Sequence, residues 1–176
     1  PYRGLTTFAV PDAQWFFGRE AQTQWLAESI KARPREVHVE NRFLAIVGPS
    51  GSGKSSLARA GLLASLARSE LPGSERWAQV VFRPGCEPVE NLGIAAASLF
   101  GLDHDSRGIQ AFVEECAQNP RAVHQRVGVA LAERPESDRV VLLIDQFEEL
   151  FTHCEDEDKR LRFIELLVQV ASVVAG

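Results

Sequence analysis

The chain is 176 residues long, 45% hydrophobic and 24% charged, which suits one soluble domain with a core of its own. A net charge of −5 and a pI near 5.4 argue against a surface built for nucleic acid. No apolar run reaches the roughly 18 residues of a membrane span, since Gln169 and Ser172 interrupt the longest, and no hydrophobic leader opens the sequence.

The sequence contains no methionine, so it reads as a piece of a longer protein. Cys86, Cys116 and Cys154 are odd in number and far apart, which fits free thiols in a reducing compartment rather than a disulfide framework or a zinc site. His38, His104, His124 and His153 show no ligand spacing, and His153-Cys154 reads as surface.

In chain order, Pro1 to Asp12 reads as an extended arm. A helix is expected from about Arg19 to Lys31, with Ala21 and Trp25, then Leu26 and Ile30, as four-residue pairs on its inner side. Ala32 to Asn41 is polar, carries Pro34 and reads as a loop. Arg42 to Val47 is an apolar stretch of strand length. The octapeptide Gly48-Pro49-Ser50-Gly51-Ser52-Gly53-Lys54-Ser55 follows, and fits G-x-x-x-x-G-K-[ST], the Walker A loop. Ser56 onward has helical spacing and runs to a breaker at Leu71-Pro72-Gly73. Strand, glycine loop and helix are the context in which this pattern binds phosphate.

The chemistry needs these residue types. A triphosphate concentrates negative charge. Glycines at 48, 51 and 53 open backbone angles closed to other residues, so that successive N–H groups can form an anion nest at a helix N-terminus. Lys54 should reach the β- and γ-phosphates, and the Ser55 hydroxyl should ligate Mg²⁺. Gly48 through Ser56 form the candidate phosphate site.

A second strand is expected at 77–83, stopped by Pro84-Gly85, and helices at about 89–100, 109–118 and 122–133, with a polar turn at 101–108. Arg139 to Ile144 is apolar without alternation, as a strand covered on both faces reads. It ends in Asp145. A carboxylate at that tip suits the Walker B role, holding Mg²⁺ through water opposite Ser55. If a helical turn starts there, Phe147, Leu150 and Phe151 form one buried stripe and Glu148 returns to the side of Asp145. Glu148 is then the first candidate to polarise a water for attack on the γ-phosphate, with Glu149 the alternative. A last helix should cover 156–173, its positive end complemented by Glu155-Asp156-Glu157-Asp158, with a capping box offered by Thr152 and Glu155. Alternating strands and helices predict an α/β fold with a mostly parallel sheet, as a single domain: an arm and helix over 1–41 and a nucleotide-binding core over 42–176.

Pro1-Tyr2-Arg3-Gly4-Leu5, Phe16-Phe17-Gly18-Arg19-Glu20, the Walker A loop, Arg83-Pro84-Gly85 and Asp145-Gln146-Phe147-Glu148-Glu149-Leu150-Phe151 together resemble the STAND class of P-loop ATPases, the signal transduction ATPases with numerous domains. The likeness is to the bacterial branch called novel STAND NTPase 1. It implies a P-loop three-layer αβα sandwich of the additional-strand, AAA-like type. It also implies ATP or ADP with Mg²⁺ as ligands, and Phe17, Gly18 and Arg19 lining the base pocket. Arg83 is expected to be structural. The family continues into a sensor strand, a winged-helix region and WD40 or other repeats, so the sequence is expected to stop short of the sensor strand, which would lie between the P-loop and Walker B strands. The implied function is a cytoplasmic regulatory ATPase switch in bacterial signalling or defence. ADP would hold it closed, and ATP would open it to self-association. A small-molecule kinase and a module that keeps a nucleotide as a structural plug are the alternatives.

Overall fold

The computed structural model describes residues 7–31, 43–102, 106–137 and 139–172. Two compact units divide the chain after Trp77. The first five residues, the 32–41 loop, His38 and His104 lie outside the described residues.

In the first unit the expected arm is not wholly extended. Val10–Trp15 forms a short 3-10 helix. Pro11 presets its φ, and the Asp12 carboxylate accepts a hydrogen bond from the Ala9 N–H at 3.1 Å. The next helix is Glu20–Ser29. Its buried stripe is Thr23, Leu26 and Ala27, spaced i, i+3, i+4. Trp25, expected inside, is instead 63% exposed. Thr23 takes the inner position because the helix packs closely on Gly61: a Cβ there would lie 2.6 Å from Thr23 Oγ1. A bulky ring on that face would hold the backbones apart.

Residues 43–49 lie in no helix or strand, a departure from the expected strand at 42–47. A strand exists only through a ladder, and the one sheet among the described residues holds two other strands. Val47 is accordingly 90% exposed. The helix after the glycine loop runs without interruption as Lys54–Ser56, Leu57–Leu63 and Ala64–Ala67. Its middle segment is a wide π-helix, a form that collects near functional sites. Ser74 Oγ donates to Leu66 O at 2.7 Å, fastening the turn beyond it.

The second unit is mixed α/β and mostly helical. Strands β1, Ala78–Phe82, and β2, Val140–Ile144, run parallel in the register Ala78↔Val140 to Phe82↔Ile144. Between them lie helices Pro88–Phe100, Ser106–Gln118 and Ala122–Ala132, and after them Glu149–Thr152 and Glu157–Ser172. One sheet face, Val80, Phe82, Leu142 and Ile144, packs with Leu92, Phe112, Val123, Leu150, Phe163 and Leu166 to form the core. Phe163 meets Phe82 edge-on at 6.1 Å. Residues of β2 are all half-buried, not covered on both faces as their uninterrupted apolar run suggests. Pairing with β1 alone among the described strands leaves the whole of β2 partly open, with no alternation along it. Arg134 donates to Ser98 O and Leu99 O at 2.8 and 3.1 Å, and Arg126 reaches Phe100 O at 3.3 Å. These guanidiniums satisfy carbonyls at the end of the helix Pro88–Phe100.

Cys116 is fully buried, and burial pushes its thiol up to about 12, which keeps it neutral. Cys154 is buried too, correcting the surface reading of His153-Cys154. The last helix is capped by Asp156, whose Oδ1 accepts the Lys159 N–H at 3.1 Å. Thr152 does not cap it. That residue closes the preceding helix, with its hydroxyl donating to Glu148 O.

Candidate functional site

In the first unit the octapeptide forms a loop that curls on itself. Gly51 and Gly53 hold φ of +77° and +85°, a region that side chains disfavour. Gly48 does not share it. Its requirement is space, since a Cβ there would sit 3.2 Å from Ser52 Oγ. Gly53 caps the helix that opens at Lys54, so the loop delivers its amides directly to a helix start. The Lys54 ammonium folds back over the loop and donates to Gly48 O at 2.7 Å and Pro49 O at 3.0 Å. Ser56 Oγ accepts the Phe8 N–H at 3.1 Å, tying the arm to the first turn of that helix.

The Phe-Gly-Arg-Glu segment lies against this loop. Arg19 Nη2 donates to Ser52 O at 3.3 Å. Gly18, with φ of +82°, turns the chain, and its N–H donates to Glu20 Oε1 at 2.9 Å, holding that carboxyl below its ordinary range. Phe17 is 75% exposed. A cavity of about 430 Å³ opens beside these residues, with Phe16, Arg19, Thr23, Ala27 and Gly61 among its lining. Thr23 is not singled out by the sequence, and Phe16 reads there as part of the Phe-Phe-Gly-Arg-Glu segment but not as a pocket residue. Only the close packing at Gly61 reveals them.

In the second unit the Asp145 N–H donates to Phe82 O at 2.9 Å, so Asp145 extends the ladder by one step at the C-terminal edge of the sheet. The residue is 6% exposed. Gln146 then adopts φ of +56°, uncommon outside glycine, and breaks away from the strand. The expected stripe forms only in part. Leu150 is fully buried and Phe147 packs against the core. Phe151 is exposed and meets the Phe147 ring at 6.0 Å. Phe147 and Phe151 keep their i, i+4 relation, but Phe151 lies next to the end of the 4-residue helix Glu149–Thr152. Glu148 is exposed. Glu149 is largely enclosed, with Arg83 and His153 near its two oxygens at 3.9 and 4.0 Å.

The family model for Novel STAND NTPase 1 matches residues 1–176, the whole chain. The chain belongs to the novel STAND NTPase 1 family. No curated protein and no solved structure matches it. As a STAND NTPase it carries its glycine loop in the first unit and its Asp-Gln-Phe-Glu-Glu-Leu segment in the second. Among the described residues no helix is long and apolar enough to cross a membrane.

Proposed function

We propose that this STAND NTPase unit binds and hydrolyses ATP as the cytoplasmic switch of a larger signalling or defence protein. The observation that carries the reading is the loop itself: two left-handed glycines feed directly into a helix whose first residue is a lysine. Backbone N–H groups of that turn would take the β- and γ-phosphates. Lys54 would exchange the neutral carbonyls of Gly48 and Pro49 for a phosphate oxygen, a stronger charge-assisted partner. Phe17, Gly18 and Arg19 would line the base side, and the contact of Arg19 with Ser52 O supports their nearness to the loop.

Ser55 and Asp145 offer the hard oxygen donors that Mg²⁺ takes, and the tight curl at Gly48 suits a loop wrapped around a phosphate. When bound, magnesium would neutralise charge on the phosphoryl oxygens. One carboxylate of the Glu148–Glu149 pair would orient the attacking water.

The same reading takes the chain as one P-loop domain with a three-layer αβα arrangement. The second face of the β1–β2 sheet supports it, because Val81, Val141 and Leu143 stand there beside the single polar residue Gln79. Exchange of ADP for ATP would shift the population from a closed to a self-associating form, with winged-helix and repeat regions as partners.

Replacing Lys54 with alanine tests the site. Affinity for a fluorescent ATP analogue with Mg²⁺ is expected to fall about ten- to a hundredfold. Unchanged affinity overturns the assignment.

A further inference from the structure

We infer that Arg83 is a positioning residue for Glu149, and that Glu149, not Glu148, is the carboxylate this sheet edge holds ready for the attacking water. The inference rests on the hydrolytic reading above.

The two strands end side by side. Phe82 and Ile144 are register partners, and the Asp145 N–H bonds to Phe82 O, so Arg83 and Asp145 leave the sheet together. Glu149 opens the short helix that follows the turn after Asp145. Arg83 Nη1 lies 3.9 Å from Glu149 Oε1, and His153 Nδ1 lies 4.0 Å from Oε2. At those separations the contacts are ionic or water-bridged, not direct hydrogen bonds.

The Glu149 side chain is only 14% exposed, whereas Glu148 is an exposed residue. Both groups lie on the same edge as the buried Asp145. A carboxylate with a guanidinium at one oxygen and an imidazole at the other is restricted in rotation. The enclosure of Glu149 itself adds to that restriction, while Arg83 and His153 are 47% and 59% exposed, so the attraction they add is modest. Catalysis by a positioned carboxylate depends on such restriction, because an error of an ångström in placement is costly. An exposed glutamate has its rotamers averaged by water. The buried Pro84 and the Asn91 Nδ2 bond to its carbonyl at 2.9 Å fix the backbone on which Arg83 stands.

The test is steady-state hydrolysis of Mg-ATP by the purified protein beside binding of a fluorescent ADP analogue, for Arg83→Ala, Arg83→Lys, Glu149→Gln and Glu148→Gln. Arg83→Ala is expected to lower kcat about tenfold to a hundredfold with KM and ADP affinity within about twofold, and Arg83→Lys to recover part of the loss. Glu149→Gln is expected to cost more than Glu148→Gln. Unchanged kcat in Arg83→Ala, or a deeper loss from Glu148→Gln, overturns the inference while leaving nucleotide binding intact. A protein that binds nucleotide without turnover also overturns it. Failure to bind nucleotide at all overturns the hydrolytic reading as well.

Discussion

In the unit that ends at Trp77 the decisive features are backbone ones: left-handed φ at Gly51 and Gly53, a lysine folded onto its own loop, and a helix contact that admits no side chain at Gly61. In the unit from Ala78 onward they are buried side chains: Leu92, Phe112, Phe163 and Leu166 close around two strands and set the edge where Asp145 and Glu149 stand. The contrast is between a site written in a few consecutive residues and one assembled from distant ones. A phosphate loop needs amides aimed by local turns, so an octapeptide suffices. An acidic edge needs a core to hold its strands, and that core draws on every helix of its unit.

The largest effect that sharpens this contrast is expected in the second core. Phe112 is fully buried and its ring meets that of Phe100 at 5.7 Å, tilted by 41°. Phe112→Ala is expected to cost about 3–5 kcal/mol in urea unfolding followed by circular dichroism. A loss below about 1 kcal/mol would mean that this core does not define the unit.

A smaller effect is expected at the helix contact of the first unit. Gly61→Ala gains helix propensity but drives its methyl into Thr23 Oγ1, so a net loss of about 1–2 kcal/mol is expected. Adding Thr23→Ala should make the pair non-additive and recover part of the loss. Simple additivity would break the claim that close approach governs this contact.

The smallest is local again, but in the second unit. Asp156→Ala removes the cap from the last helix and is expected to cost about 1 kcal/mol. Thr152→Ala should cost less. The reverse order would restore the capping box read from the sequence.

Legibility in the sequence followed the same division. The glycine loop, its helix and the strand–Asp145 junction were readable because each is a contiguous pattern. Helices in the second unit were readable to within a few residues because their apolar periodicity is regular. The absence of a strand at residues 43–47 was not, because hydrophobicity reports a tendency to join a sheet and not the sheet itself. Trp25 misled because an i, i+4 pair shows which residues share a face, not which face is inside. Neither the positive φ of Gln146 nor the outward placement of Phe151 has a signal in the sequence. The approach of Arg83 to Glu149 joins residues far apart in the chain, beyond any local pattern.

The central claim is that the amides of the glycine loop capture a polyphosphate. The direct measurement is the amide NMR spectrum of the ¹⁵N-labelled protein as Mg-ATP is added. The account predicts that the largest shifts fall on Gly51, Ser52, Gly53, Lys54 and Ser55, and that they vanish in Lys54→Ala at the same concentration. Saturating nucleotide that leaves those amides unmoved would contradict it.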